Sequence, residues 1–551
     1  MKMTGVQIIL ECLKRENVTT VFGYPGGKVI KLYDALYDEN MLVHVETAHE
    51  QGASHAADGY ARATGNVGVC IATSGPGSTN LVTGLATAYM DSIPIVAITG
   101  NVPASLLGRD SFQEVDIMGV TMPVTKHNYQ IKSVDKISDV FREAFAFAKS
   151  GRPGPVLIDI TSDTFTELCE YTPPQGPLNM ACKLSDIPID EVRELVSNAE
   201  RPVIMAGGGV VLSGASDELF ELAERIDAPV ACSLMAVGSF PSDHRLSMGM
   251  VGMHGTKASN MAFQSCDLLI VLGARFSDRV TGDPNTFASH AKIIQIDIDA
   301  SEVNKNITAH VHMIQDIKCA LEKIIQAVPK KSHGEWVKSI AGWKAENEAH
   351  IPKDHLPRNI MRTINEIMGE DAIIVTDVGQ HQMWTAQYYP FKKHNTFITS
   401  GGLGTMGYGL GASIGAQCAC PEKRVLHITG DGSFRMNLNE MATTVRYGLP
   451  VVTILLDNQT LGMVRQWQTL FYKGRHSETT LPPLDFGAIA KGFGYALARK
   501  VSDVDAFRDA LKEALDTRKP CLIHVEIDQD TMVLPMVAPG ASIDDIVMSI
   551  S

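Results

Sequence analysis

Short apolar runs rich in β-branched residues alternate with longer segments of helical periodicity along almost the whole chain. Between Val18 and Ile160 the strand-length runs are VTTVFGYPGG, MLVHVETAH, VGVCIATSGPGS, IPIVAITGNVP and GPVLIDI. Apolar runs of this length without polar alternation mark strands buried on both faces, and helical stretches between them predict a doubly wound parallel sheet. The Pro-rich stretch Tyr171 to Pro177 has no periodicity and predicts a linker. RPVIMAGGG, APVACSL, CDLLIVLGARF and AKIIQIDID form a second series, which fades into the charged, helix-like segment Lys318 to His350. After Ile351 to Pro357, a third series follows: DAIIVTDVG, VLHITGDG, VVTILLDN and PCLIHVEID. The pattern predicts three α/β domains, each a doubly wound parallel sheet, over 1–165, 186–335 and 361–551. Linkers are expected at 166–185 and 336–360.

Length agrees, since 551 residues exceed what one core supports. A net charge of -14 with no compensating basic run argues against a nucleic-acid surface. No apolar run approaches the ~18 residues that span a bilayer, and Met1 to Gln7 lacks a leader pattern. The ten cysteines are scattered, and their one close pair, Cys418 and Cys420, has neither zinc nor redox spacing. Reduced thiols in a cytoplasmic enzyme are expected.

Chemistry concentrates first in Val425 to Met463. One apolar run ends in Gly430-Asp431-Gly432, and a second, one helical crossover later, ends in Asp457-Asn458. A right-handed crossover brings both strand ends to one sheet edge. Asp431 and Asn458 then face one volume, an oxygen-ligand set suited to a hard divalent ion that also holds a phosphate. Glycines on either side of the acid let backbone approach that phosphate. This resembles the metal-diphosphate motif of thiamine diphosphate enzymes. The resemblance implies Mg²⁺ bound by Asp431, Asn458 and the Thr460 carbonyl, with Asp457 standing where many members carry a first Asn.

In the first domain Glu50 follows a strand and opens an Ala-rich helix, while GYPGG and SGPGSTN form turns on the same sheet edge. This set resembles the pyrimidine-binding domain of the same enzymes, whose indispensable side chain is a Glu. A helix N-terminus favours the anion by only ~0.3–1 kcal/mol, and burial opposes the charge more strongly. Glu50 is therefore expected to share a proton with the pyrimidine ring.

Ten motifs in order extend the resemblance to the acetolactate (acetohydroxyacid) synthases: GYPGG, HEQGASHAADGYARATG, SGPGSTN, GRDSFQEVD, SGRPGPVLIDI, MHGT, GARFSDRVTG, IQIDID, SGGLGTMGYGLGASIGA and LGMVRQWQ. It implies decarboxylation of pyruvate and transfer of the two-carbon unit to a second 2-oxo acid, either pyruvate or 2-oxobutyrate, in branched-chain amino-acid biosynthesis. The cofactor would lie against Gly379, Gln380, His381, Gly404, Met406, Gly432, Ser433 and Met463. Gln113 would line the reaction pocket, Arg279 grip the acceptor carboxylate, and Trp467 favour 2-oxobutyrate. A structural FAD is implied at Arg152, Gly207, Gly208, Gly209, Met253, His254, Gly255, Thr256, Gly273, Arg275, Asp297 and Asp316, although GxGxxG spacing is absent. A homodimer or homotetramer follows, with Glu50 and the metal pair meeting across a subunit boundary. A small regulatory subunit is common in the biosynthetic class. Lys28, Ser162 and Ser277 depart from the pattern and bear on substrate preference and inhibitor contacts. A FAD-using pyruvate oxidase, a simple 2-oxo acid decarboxylase and a non-catalytic nucleotide-binding protein stand as alternatives.

Overall fold

A computed structural model describes residues 1–549 apart from 175, 177, 179 and 181–183, so Gln175 and Pro177 of the expected linker lie outside the described residues. Three six-stranded sheets, parallel throughout, form the three domains. The first has the order Val43–Glu46, Thr20–Gly23, Gly68–Ala72, Ile95–Asn101, Val156–Thr161, His127–Ile131. The third repeats that connectivity: Phe397–Ile398, Ile373–Thr376, Val425–Gly430, Val452–Asp457, Cys521–Glu526, Leu497–Val501. The central sheet runs Ser247–Met250, Val230–Cys232, Pro202–Ala206, Leu268–Leu272, Lys292–Asp297, Val311–Ile314, the order of dinucleotide-binding folds.

In each sheet the strand order reverses at the strand that opens the sheet (Thr20–Gly23, Pro202–Ala206 and Ile373–Thr376), and there the carboxyl ends of adjacent strands diverge into a crevice where such folds bind ligands. In the first domain those ends are Tyr24–Gly27 and Thr73–Gly77; in the central domain, Gly207–Gly209 and Gly273; in the third, Asp377–Gln380 and Asp431–Ser433. All three crevices carry residues that the sequence singles out.

The strands missing from the sequence pattern are nearly all at sheet edges: His127–Ile131, Ser247–Met250, Val311–Ile314, Phe397–Ile398 and Leu497–Val501. An edge strand has one covered flank and less buried face, so its apolar run breaks up, as in the LARKV sequence of Leu497–Val501. The first domain also reaches past residue 165. Leu168–Glu170 pairs antiparallel with Lys2–Thr4, and Tyr171 joins the first core. Much of the 336–360 connector is helix, since Gly334–Ala349 is helical and places Trp336 and Ile340 in the central core. No helix among the described residues is long and apolar enough to cross a membrane.

The first and third domains of the chain meet through the helices Glu50–Thr64 and Gly409–Ala419. Small residues make the approach possible. A Cβ on Gly59 would lie 2.1 Å from the Ala412 carbonyl, and one on Gly415 would lie 1.8 Å from the Ala56 carbonyl. Neither obstacle is a flexible side chain, so Gly415→Ala is expected to cost about 1–3 kcal/mol. Thermal melting checks this; an unchanged midpoint would contradict it.

The C-terminal segment ties the third domain to the central one. The Val537 N–H donates to the Met253 carbonyl (2.8 Å), Asp283 N–H donates to the Ala541 carbonyl (3.0 Å), and Ile543 sits in the central core.

Candidate active site

The third-domain crevice is a pocket lined by residues from four segments: Val378–His381, Met406, Gly430–Ser433 and Asn458–Val464, with Trp384 and Leu456 beneath. It gathers Gly379, Gln380, His381, Met406, Gly432, Ser433 and Met463 with Asp431, Asn458 and Thr460. Gly404 is not on the lining; it turns the preceding loop at φ 70°. Polar side chains hold the shape. Asn458 Nδ2 donates to Gln380 Oε1 (3.0 Å), and Gln380 Nε2 donates to Gln466 Oε1 and the Thr531 carbonyl (both 3.0 Å). A Cβ on Gly462 would sit 2.0 Å from Gln380 Oε1, so this chain of amides requires glycine there. Ser433 Oγ donates to the Val378 carbonyl (2.8 Å).

Asp431 is the anomaly that defines the pocket. It is 1% exposed, its Oδ2 accepts no hydrogen bond, and the nearest cation, Arg435 Nη2, is 3.8 Å away. Burial, with neighbouring Asp457, pushes its carboxyl up to about 7. A buried carboxylate oxygen with no hydrogen-bond donor is costly, and a bound cation would satisfy it. Asn458 Oδ1 meets only the Thr460 N–H, at 3.3 Å. Among the described residues no group of three or more His, Cys, Asp or Glu could hold a metal. An ion here would draw on one carboxylate, one amide oxygen, one carbonyl and phosphate oxygens, which suits Mg²⁺. The departure at Asp457 is absorbed locally. Although burial raises it, His524 Nε2 at 2.7 Å and the Gln459 N–H draw its carboxyl below the usual range. His381 also lines the pocket; its Nε2 is buried without a partner, and burial pushes the ring down to about 4, so it is a neutral imidazole.

The first-domain crevice forms a second half. Glu50, 8% exposed, opens the helix Glu50–Thr64, which His49 caps through a bond from the Gln51 N–H (3.0 Å). Asn80 Nδ2 donates to Glu50 Oε2 (3.0 Å), leaving Oε1 beside Gly77, where a Cβ would come within 3.1 Å. Gln113 packs on Gly75 and holds φ at 62°, in the left-handed region that is uncommon for residues with a side chain. The Lys28 N–H bonds Thr73 Oγ1 (3.1 Å), placing Lys28 on the same rim. Neither Glu50 nor Gln113 lines the third-domain pocket of the same chain.

Arg279 and Trp467, far apart in sequence and on different domains, meet directly: the guanidinium lies 5.3 Å from the indole centroid. Cation–π attraction accounts for the contact. Trp467 shares the helix Gly462–Phe471 with Met463, one turn earlier, which lines the pocket. Its indole Nε1 is buried without a partner.

In the central crevice the glycines answer a constraint of their own. A Cβ on Gly207 would lie 2.1 Å from the Gly273 carbonyl, and Gly273 itself has φ 58°. Gly209 packs against Gly273 Cα, while Gly208 faces Met235. Arg152 bridges Ser92 Oγ (2.8 Å) and Glu302 Oε1 (3.1 Å). Arg275 is half-buried, and burial together with Arg152 draws its guanidinium below the usual range. With Arg152 paired to acids, Arg275 is the cation left to meet an anionic group in this crevice at a strand-order reversal. Met253 and Gly255 sit in the turn Gly252–Thr256, and Thr256 caps the next helix. His254 Nδ1 is buried and unpartnered, its ring pushed down to about 4 by burial and Arg279. Burial, and beyond it Asp299 and Glu302, push Asp297 up to about 6. Asp316 accepts from the Cys319 N–H (3.1 Å) as a helix cap. Of the residues that the resemblance assigns to FAD, Arg275 and Asp297 remain to face a ligand, since Arg152 and Asp316 are engaged in ion pairs and capping and the N–H groups of Gly207, Gly209 and Gly273 donate to the Leu272, Gly273 and Ile296 carbonyls.

Sequence reasoning did not single out Asn80, Gln466 or Asp377. Asn80 lies within SGPGSTN and Gln466 within LGMVRQWQ, but only the fold brings either to a site residue. Asp377, beneath His381, binds His427, Thr429 and the Gly409 N–H.

Two crevices on separate α/β domains, one holding the buried acid Glu50 and one lined by Asp431 and Asn458, are the arrangement of the thiamine diphosphate (thiamine pyrophosphate) class of enzymes, to which the chain belongs. Three family models agree: the thiamine pyrophosphate enzyme N-terminal TPP binding domain over residues 3–120, the central domain over 189–324 and the C-terminal TPP binding domain over 377–525. A probable acetolactate synthase large subunit of Methanocaldococcus jannaschii is 47% identical, covering 100% of this chain and 96% of the relative. The acetolactate synthase isozyme 2 large subunit of Escherichia coli K12 is 44% identical over 100% of both chains. The acetolactate synthase large subunit of Corynebacterium glutamicum is 44% identical over 99% of this chain and 90% of its own. The chain belongs to the acetolactate synthase large-subunit family.

Proposed function

We propose that the protein catalyses acetolactate synthesis: decarboxylation of pyruvate and joining of the two-carbon unit to a second 2-oxo acid, pyruvate or 2-oxobutyrate. Bound thiamine diphosphate supplies a carbon acid that becomes the nucleophile and the electron sink for loss of CO₂. The chain's own residues do the rest. Glu50 Oε1 is the free carboxyl oxygen, Asn80 holding the other, and it would carry the proton shared with the bound cofactor. Asp431, Asn458 and the Thr460 carbonyl would hold Mg²⁺ and, with it, the diphosphate. Met406, reaching within 3.7 Å of where a Gly432 Cβ would stand, would support the cofactor from the pocket wall. Gln113 orients the substrate. The C-terminal segment, bonded to Gln380 and Gln466 through Thr531 and Val533, closes the pocket against water. FAD would take the central crevice beside Arg275 and Asp297 as a structural group, since the reaction has no redox step for it.

The observation that carries this reading is the contact of Arg279 with Trp467 beside the Met463 wall of the pocket. A decarboxylase has no second oxo acid to orient. Here a planar cation that can pair bidentately with a carboxylate stands against a bulky aromatic that can shape an acceptor subsite. The decisive experiment is product identification from pyruvate alone and mixed with 2-oxobutyrate, omitting thiamine diphosphate, Mg²⁺ and FAD one at a time. Acetolactate and the mixed product are expected; acetaldehyde, or anaerobic bleaching of flavin at the rate of turnover, would contradict it. Trp467→Leu is expected to lower preference for 2-oxobutyrate over pyruvate by about tenfold, within the range of pocket-fit discrimination. An unchanged product ratio in competition would refute that role.

The first- and third-domain half-sites of one chain form separate crevices, so the working site takes Glu50 from one copy and the metal pocket from a second. A homodimer is the smallest such assembly, and a homotetramer repeats it. The relatives are named as large subunits, which points to a small partner subunit as well.

A further inference from the structure

The segment Ser400 to Tyr408 carries Met406 into the cofactor pocket, yet most of it has no regular secondary structure of its own. Gly404 and Gly407 hold φ at 70° and 83°, so the backbone there is intrinsically free to take other paths. One bond is internal, the Thr405 N–H to Ser400 Oγ at 3.0 Å, and the rest of the third domain adds Gln382 Nε2 to the Ser400 carbonyl (3.0 Å), Asn437 Nδ2 to the Gly407 carbonyl (2.9 Å) and the Ala412 N–H to the Tyr408 carbonyl (3.1 Å). Residues 401 to 406 take their further anchors from the first domain of the same chain. Asp91 Oδ1 accepts from the Gly402 N–H (2.6 Å) and Asp91 Oδ2 from the Gly401 N–H (3.1 Å). Thr87 Oγ1 and Thr405 Oγ1 share a hydrogen bond of 2.7 Å. On the far side of Met406, Tyr408 OH donates to Asp58 Oδ1.

These anchors are not independent. Arg62 donates from Nε to Asp58 Oδ1 (2.6 Å) and from Nη2 to Asp91 Oδ2 (2.8 Å), with its side chain 8% exposed and both acids fully buried. One guanidinium thus locks two carboxylates, each gripping one flank of the Met406 segment. An ion network buried this deeply is a poor source of stability compared with apolar packing, but it fixes geometry. The glycine-packed helix pair already joins the two domains, so the network is not needed to hold them together.

We infer that Asp58, Arg62, Asp91 and Thr87 are positioning residues for the reaction: they act through the Ser400–Tyr408 segment to set where Met406 stands against the cofactor. This rests on the thiamine diphosphate reading of the third-domain pocket. Because the residues belong to the same chain as Met406, the first domain serves two sites, giving Glu50 to one and the Met406 brace to the other.

The test is a set of double-mutant comparisons on the full chain: Asp91→Asn, Thr87→Val, Met406→Ala, and the first two each combined with the third. Measured quantities are kcat with pyruvate, the thiamine diphosphate dissociation constant in the presence of Mg²⁺, and the near-ultraviolet circular dichroism of the bound cofactor. Each positioning variant is expected to lose about tenfold in kcat, with a dissociation constant changed by under about threefold and an altered dichroism band. On the Met406→Ala background the same substitutions should cost little further. Losses that multiply in the double variants, or variants with a lower melting point but wild-type kcat and dichroism, would overturn the inference. Thr87→Val removes only a hydroxyl and keeps the comparison available if Asp91→Asn folds poorly. A wild-type chain that binds no thiamine diphosphate would sink the cofactor reading itself, an outcome distinct from binding with multiplicative losses.

Discussion

Glu50→Gln is expected to lower turnover with pyruvate by about 10²–10⁴-fold, the range for loss of a positioned proton-transfer group, while the protein folds and binds its cofactor as before. The substitution keeps the shape of the side chain and leaves a carbonyl oxygen to accept from Asn80 Nδ2, so the start of the Glu50–Thr64 helix need not move. What disappears is an oxygen that can carry a proton beside Gly77. The space there is narrow, because a Cβ on Gly77 would already come within 3.1 Å of Oε1, so water has little room to substitute. Steady-state rates with saturating thiamine diphosphate and Mg²⁺, read beside a melting curve, check the claim. Turnover near wild type in a folded variant would contradict it.

Asp431→Asn is expected to act in opposite directions on stability and on cofactor binding. The buried Oδ2 has no hydrogen-bond partner, and burial opposes its charge. Removing that charge should raise the melting temperature of the metal-free protein slightly. The same change takes away the one anionic ligand of the pocket. Since losing only an outer-sphere partner of a metal ligand costs 10–100-fold in affinity, the Mg²⁺ requirement for cofactor binding should rise by at least about 100-fold. Thermal shift with and without Mg²⁺ and thiamine diphosphate separates the two effects. Ligand stabilisation equal to wild type would show that Asp431 is not the anchor. Such a trade of stability for function is what a site shaped to bind an ion should display.

The interior of the fold was legible from hydrophobic pattern because interior strands of parallel sheets must be apolar on both faces. Ile95–Asn101 and Val452–Asp457 are buried along their whole lengths and stand out in the sequence. Val311–Ile314 alternates buried and exposed positions, and four residues of alternation are too few to separate from a loop. That Asp431 and Asn458 line one pocket was legible for a related reason: both sit where apolar runs end, and crossover handedness puts those ends together. Asn80, Gln466 and the Asp58–Arg62–Asp91 network were not. Their roles depend on contacts between segments tens to hundreds of residues apart, and nothing local to Asp91 announces that its carboxylate receives two backbone N–H groups from Gly401 and Gly402. The glycines of the central crevice are instructive in another way. Their pattern alone suggests approach to a phosphate, while the structure adds that Gly207 and Gly273 must be bare because they touch each other.

The central claim is that a working site is shared between copies, the proton-sharing acid from one and the ion pocket from another. Co-expressing differently tagged Glu50→Gln and Asp431→Asn chains and isolating the mixed assembly tests it most directly. Each homo-oligomer should be nearly inactive. In a mixed dimer one site carries both lesions and the other carries neither, so the isolated hybrid should recover about half of wild-type turnover, as two-fold symmetry requires. A hybrid as inactive as its parents would mean that each site is built within a single chain, and the account would fail.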